Sequence, residues 1–141
     1  MSAIFLGVSK HTLESNNRII IPSRFRESLA PEFVLFKSPD GCVSVYDTDS
    51  FEKLLEQVRL LTNTKEGRMK ARTLTRAARY MTLDKQGRFT IPQDYVDYAC
   101  LGETVYITGE SNHLEIWNEE DYLAQQTGEM FSPEMYPEIF Y

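Results

Sequence analysis

A nine-residue stretch occurs twice, seventy positions apart, and nothing else in the chain constrains its fold as strongly. Asp84-Lys85-Gln86-Gly87-Arg88-Phe89-Thr90-Ile91-Pro92 repeats Glu14-Ser15-Asn16-Asn17-Arg18-Ile19-Ile20-Ile21-Pro22. In both copies an acid stands four residues before an arginine. The residue just before that arginine, Gly87 or Asn17, tolerates a left-handed backbone, and a run rich in β-branched residues ends at Ile-Pro. The pattern predicts a polar turn followed by a strand, with the arginine displayed where the loop enters the strand. The echo continues. Phe25 and Tyr95 follow their prolines by three residues, and Leu29 and Ala99 by seven, as one face of a short helix requires. After a one-residue slip between Ala30 and Phe33, Val34-Leu35-Phe36 aligns with Val105-Tyr106-Ile107 at a separation of 71, and Val43 to Tyr46 aligns with Leu114 to Trp117. This is a tandem duplication of a module of roughly 50 residues.

A module of that size buries too little apolar surface to be comfortable alone, so the copies are expected to pack on each other or on other subunits. The sequence divides into a first module over 1–61, a basic linker and helix over 62–79, a second module over 80–127 and a tail over 128–141. Hydrophobic residues at 42% and charged ones at 26% are ordinary for a globular protein. No apolar run is long enough for a membrane span, and the start lacks the basic and apolar regions of a signal peptide, so a cytoplasmic location is expected. Cys42 and Cys100 form no metal-ligand or disulfide spacing, and with His11 and His113 they read as structural or surface groups. No catalytic constellation is present, so neither an enzyme nor a cofactor is expected.

Charge is unevenly distributed. The net value of -6 argues against a nucleic-acid partner. Residues 1–88, however, carry all fifteen Lys and Arg against ten acids, whereas residues 89–141 carry eleven acids and no base. Such asymmetry suggests one face for a polyanion and another for solvent.

Along the chain, Ile4 to Gly7 reads as a strand, Arg18 to Ile21 as a second, and Ser23 to Leu29 as a short helix with Arg24 and Arg26 outward. Phe33 to Lys37 and Cys42 to Tyr46 read as a hairpin about Pro39-Asp40-Gly41. Phe51, Leu54, Leu55, Val58 and Leu61 mark an amphipathic helix, capped from Asp47 to Ser50. Thr62 to Arg68 reads as a polar linker, and Met69, Thr73, Ala77 and Leu74 as the inner face of a basic helix. The second module repeats the order of the first, ending in a helix from Asn118. Phe131, Tyr136, Phe140 and Tyr141 give the tail an aromatic character that favours docking on a neighbouring surface.

These residues together resemble the MraZ family over positions 5 to about 123. Phe5-x-Gly7, His11-x-Leu13, Arg18-x-x-x-Pro22-x-x-Phe25-Arg26, Gly41-Cys42 and Val45-Tyr46 match its first half. Leu83-Asp84-x-x-Gly87-Arg88-x-x-Ile91-Pro92 and Leu114-Glu115-Ile116-Trp117 match its second. The resemblance implies a mainly β fold with short helices (α+β), in which two AbrB-like modules of swapped-hairpin type form a pseudo-two-fold barrel. It also implies a cytoplasmic, nucleoid-associated transcription factor, an octamer-like homo-oligomeric ring. Such a ring would bind double-stranded DNA at tandem direct repeats upstream of its own division and cell-wall gene cluster, usually as a repressor. The first loop departs from the family's Asp-x-Lys-Gly-Arg. Glu14 is too long to close an Asx turn well, and Asn16 removes a charge, so fewer phosphate contacts are expected there.

Arg18 and Arg88 admit two readings. Each guanidinium could pair with a guanine edge or a phosphate, or could form an intraloop salt bridge to Glu14 or Asp84 worth ~0–1 kcal/mol when exposed. The resemblance favours DNA contact, with the acids orienting the arginines. Lys85, Asn16, Asn17 and Gln86 complete the expected contact set, and Lys10, Arg24, Arg76 and Arg79 are further phosphate candidates. Tyr46, Phe51 and Trp117 are expected in the core. The competing reading is a ring-forming scaffold that recruits a protein through its acidic half.

Overall fold

The computed structural model describes residues 4–60, 63–126 and 133–140. Strand β1 spans Val8–Thr12, β2 Arg18–Ile20, β3 Phe33–Lys37 and β4 Val43–Asp47. In the second repeat, β5 spans Arg79–Met81, β6 Arg88–Thr90, β7 Thr104–Gly109 and β8 Leu114–Asn118. The helices are α1 Ser23–Leu29, α2 Thr48–Leu60, α3 Lys65–Ala77, α4 Gln93–Tyr98, α5 Glu119–Ala124 and α6 Pro137–Phe140.

The repeats exchange strands. The larger sheet is antiparallel and not closed, with order β1-β7-β8-β4-β3-β5, so the barrel implied by the resemblance gives way to an open sheet with edges at β1 and β5. Strand β2 pairs with β6 in a second, two-stranded ladder. Swapping each strand for its counterpart in the other repeat reverses the order and returns the same sheet, which places a pseudo-two-fold axis between β4 and β8. The hairpin β3–β4 therefore receives its outer strand, β5, from the second repeat, and β7–β8 receives β1 from the first. The hydrogen bonds obey the same symmetry: Ile21 N donates to Gly87 O and Ile91 N to Asn17 O, both at 2.8 Å.

One core cluster joins the halves. Its members come in repeat-related pairs, Ile21 with Ile91, Phe25 with Tyr95 and Val45 with Ile116, all buried. The Phe33 and Phe89 rings meet edge to face across the repeats with centroids 5.0 Å apart. Burying each large side chain contributes about 1.5–3 kcal/mol, so most of the stability is shared between copies that could not supply it singly. A second cluster lies on the other side of the first hairpin, where Phe36 and Tyr46 pack with Phe51 of α2 and Leu74 of α3. Tyr46, Phe51 and Trp117 are buried as expected.

Several local expectations are corrected. The first strand begins at Val8, not Ile4, because Gly7 takes φ +90° and interrupts the extended run. Phe5 alone bridges to Ser111. Lys65 to Arg68 form the first turn of α3 and not a linker, since Thr64 caps that helix by accepting from Gly67 N at 3.0 Å. The inner side of α3 carries Gly67, Ala71 and Leu74, whereas Met69, Thr73 and Ala77 face outward. Gly67 and Ala71 carry little hydrophobic signal, and the α3 side chain that joins the second core cluster is Leu74. Asp47 and Asn118, also repeat-related, cap α2 and α5. In the tail, Tyr136, Ile139 and Phe140 are exposed, and Leu61, Thr62, Phe131 and Tyr141 lie outside the described residues.

Candidate nucleic-acid interface

The short β2–β6 ladder carries the two repeated loops at its ends. In the second, Asp84 closes an Asx turn: its Oδ1 accepts from the amides of Gln86 and Arg88, both at 2.9 Å. Gly87 follows at φ +80°, a conformation that suits a residue without Cβ. The Arg88 amide above all, with the Gln86 amide and Arg18 assisting, holds the Asp84 carboxyl below its ordinary pKa. Asp84 therefore remains charged, and its bonds to the loop persist, until the pH falls below the usual carboxylate range.

The first loop solves the same geometry differently. Asn16 and Asn17 both take positive φ, at 63° and 60°, and Glu14 makes no side-chain cap, as its extra methylene predicts. Its carboxylate reaches across instead, and Arg88 Nε donates to Glu14 Oε1 at 2.7 Å. Arg18 pairs reciprocally with Asp84. The ion pairs are thus crossed between repeats and are not intraloop, because antiparallel pairing of β2 with β6 brings each arginine to the other copy's acid. All four groups are partly exposed, so the pairs contribute little to stability. They leave the arginines oriented and accessible to a stronger anion.

Asn16, Lys85 and Gln86 are exposed on the loops, and no ion pair is found for Lys85 among the described residues. Asn17 is half-buried and donates through Nδ2 to Gln93 Oε1 at 2.9 Å. The further phosphate candidates are placed differently. Lys10 faces Glu119 at 3.9 Å, Arg24 donates to Leu6 O at 3.2 Å, Arg79 pairs with Asp94 at 3.0 Å, and Arg76 is exposed near the end of α3. Three of these four are engaged by partners outside the loop pair.

Two residues at the loops escaped the sequence reading. Gln93 is one, and Arg26, assigned outward, is the other. Arg26 is half-buried over the second loop and donates through Nε to Ile21 O at 2.9 Å. Its signal was a break in the repeat, since the equivalent position holds Val96.

An open cleft at the start of α5 is lined by Glu103, Glu119, Glu120 and Asp121, and its charge would repel a polyanion. Among the described residues there is no cluster of metal-binding side chains, and no helix is long and apolar enough to cross a membrane.

Two interlocked copies of a loop–strand–helix–hairpin unit, with their arginine-bearing loops paired about a pseudo-dyad, define a tandem-repeat class of β-rich protein. The family model described as "MraZ protein, putative antitoxin-like" matches residues 4–73 and again 74–133. The chain belongs to the MraZ family. Similar proteins named "Transcriptional regulator MraZ" include that of Clostridium acetobutylicum, 38% identical over 85% of each chain. That of Natranaerobius thermophilus is 38% identical over 91% of this chain and 92% of its own, and that of Acetivibrio thermocellus 36% identical over 93% and 92%.

Proposed function

We propose that this protein is a DNA-binding transcriptional regulator whose two repeated loops form one reading unit. The observation that carries the proposal is the crossed pairing of Arg18 with Asp84 and Arg88 with Glu14. It holds two planar guanidinium forks, flanked by Lys85, Asn16 and Gln86, at an exposed pseudo-dyad. Such forks match guanine edges and phosphate oxygens, and DNA supplies many anions where each acid supplies one. The names of the relatives support the same reading.

The finer assignment follows from family resemblance and physical argument. One loop pair binds weakly, whereas a homo-oligomeric ring presents several, and linked sites gain affinity through effective concentration. Tandem direct repeats upstream of the protein's own division and cell-wall cluster would meet successive subunits, and occupancy there would repress transcription in the nucleoid. No cofactor or catalytic step is required. A scaffold role remains the second reading, supported by the acidic cleft beside α5.

The test is retention of a duplex from immediately upstream of the gene against a scrambled duplex, across a salt series. Preferential retention is expected, with the logarithm of the affinity falling linearly in log salt at a slope of about -0.9 per phosphate neutralised. Equal retention at every salt concentration, with a basic protein captured in place of DNA, would favour the scaffold.

A further inference from the structure

The two loops share a path but are held unequally. Beneath the second, three contacts close a circuit. Arg26 Nε donates to Ile21 O at 2.9 Å, Ile21 N donates to Gly87 O at 2.8 Å, and Gly87 lies directly under the Arg26 side chain. A Cβ added at Gly87 would sit 2.1 Å from Arg26 Nε, so the missing side chain is what admits the guanidinium. Together with the Asx turn of Asp84, this fixes the backbone from which Arg88 projects. The first loop is tied differently, by an exposed side-chain pair in which Asn17 Nδ2 donates to Gln93 Oε1 at 2.9 Å, with no guanidinium laid over its backbone. Val96 stands at the position equivalent to Arg26, and Asn17 at that of Gly87. Glu14 spends its carboxylate on Arg88 and caps nothing.

We propose that Arg26 is a positioning residue that braces the second loop from the first repeat, and that the two halves therefore read DNA inequivalently. Arg88 projects from a preorganised loop, and Arg18 from an adaptable one. The inference rests on the DNA-binding reading above. Its physical basis is that a contact from a prearranged group loses less conformational freedom on binding and tolerates less variation in its target. The second loop accordingly sets discrimination, and the first accommodates differences between successive sites.

The test compares wild type, Arg26→Met and Arg26→Lys on the upstream and scrambled duplexes across salt, with amide exchange at Gln86, Gly87 and Arg88 measured alongside. Methionine keeps an apolar stem but removes the donor to Ile21. Lysine restores a donor without a planar group to lie over Gly87. The expected result for Arg26→Met is a loss of discrimination of about tenfold, the scale of one well-made base contact, with an unchanged salt slope. Exchange at the three loop amides should accelerate while core amides such as Ile116 stay protected, and Arg26→Lys should fall between. An equal loss on both duplexes, with the slope reduced by about 0.9, would make Arg26 a phosphate ligand and overturn the proposal. Unchanged discrimination would overturn it as well. A wild type that favours neither duplex would overturn the DNA reading itself and this inference with it, an outcome distinct from failure of the Arg26 variants alone.

Discussion

Phe89→Ala is expected to destabilise the whole protein by about 3–5 kcal/mol in a single unfolding transition, the ordinary range for emptying a buried phenylalanine site. Phe89 lies in the second repeat, but its ring meets Phe33 of the first at 5.0 Å and 78°, inside the cluster that both repeats line. The cavity would therefore be felt on both sides of the pseudo-dyad. Denaturant unfolding followed by tryptophan fluorescence reports the second repeat through Trp117, and far-ultraviolet circular dichroism reports the whole chain. The account predicts coincident curves with a lowered midpoint and an unchanged slope. Two separated transitions, with only the fluorescence shifted, would mean that the repeats are independent domains.

The same interlocking predicts that neither repeat folds alone. Residues 1–61 keep the β3–β4 hairpin but lose β5, whose register on β3 runs from Phe33 opposite Met81 to Leu35 opposite Arg79. Residues 62–141 keep β7–β8 but lose β1, which pairs from Val8 opposite Thr108 to Thr12 opposite Thr104. Each fragment would expose a sheet edge and half of a shared core, and a chain of that size has little stability to lose. Separately expressed fragments should show no cooperative melting, and mixing them should restore one transition. A fragment that melts cooperatively near the temperature of the intact protein would contradict the exchanged topology.

Much of this architecture was legible in the sequence for a definite reason. Repetition of Ile-Pro, of the aromatic three residues later and of the hairpin residues fixes local structure twice over, and Gly87 and Asn17 mark their turns through backbone permissiveness alone. Strand exchange enters the sequence reading only through the family resemblance and its swapped-hairpin modules, since the residues of β1 and β5 do not themselves say which hairpin each strand joins. For the same reason the arginines were paired with the acids of their own loops, whereas the structure crosses them. On α3 the expected inner face holds at Leu74 but not at Met69, Thr73 and Ala77, which are exposed, because a glycine and an alanine on the half-buried side give no hydrophobic periodicity to read. Arg26 was read as solvent-facing because helical periodicity cannot register a guanidinium laid over a neighbouring glycine. Lys10, Arg24 and Arg79 were grouped with the loop cations by charge, and only spatial placement reveals their other partners.

The most direct test of the central claim is the ratio of affinities for upstream and scrambled duplex in the Arg18→Ala/Arg88→Ala double variant, with its assembly state measured in parallel. Both side chains are partly exposed and outside the core, so folding and assembly should be retained. A well-made arginine contact supplies about 1–3 kcal/mol of discrimination, so loss of both arginines should lower the ratio by on the order of tenfold or more, chiefly through Arg88. That result, with assembly intact, places sequence reading on the repeated loops. A double variant that assembles normally and keeps the wild-type ratio would contradict the account.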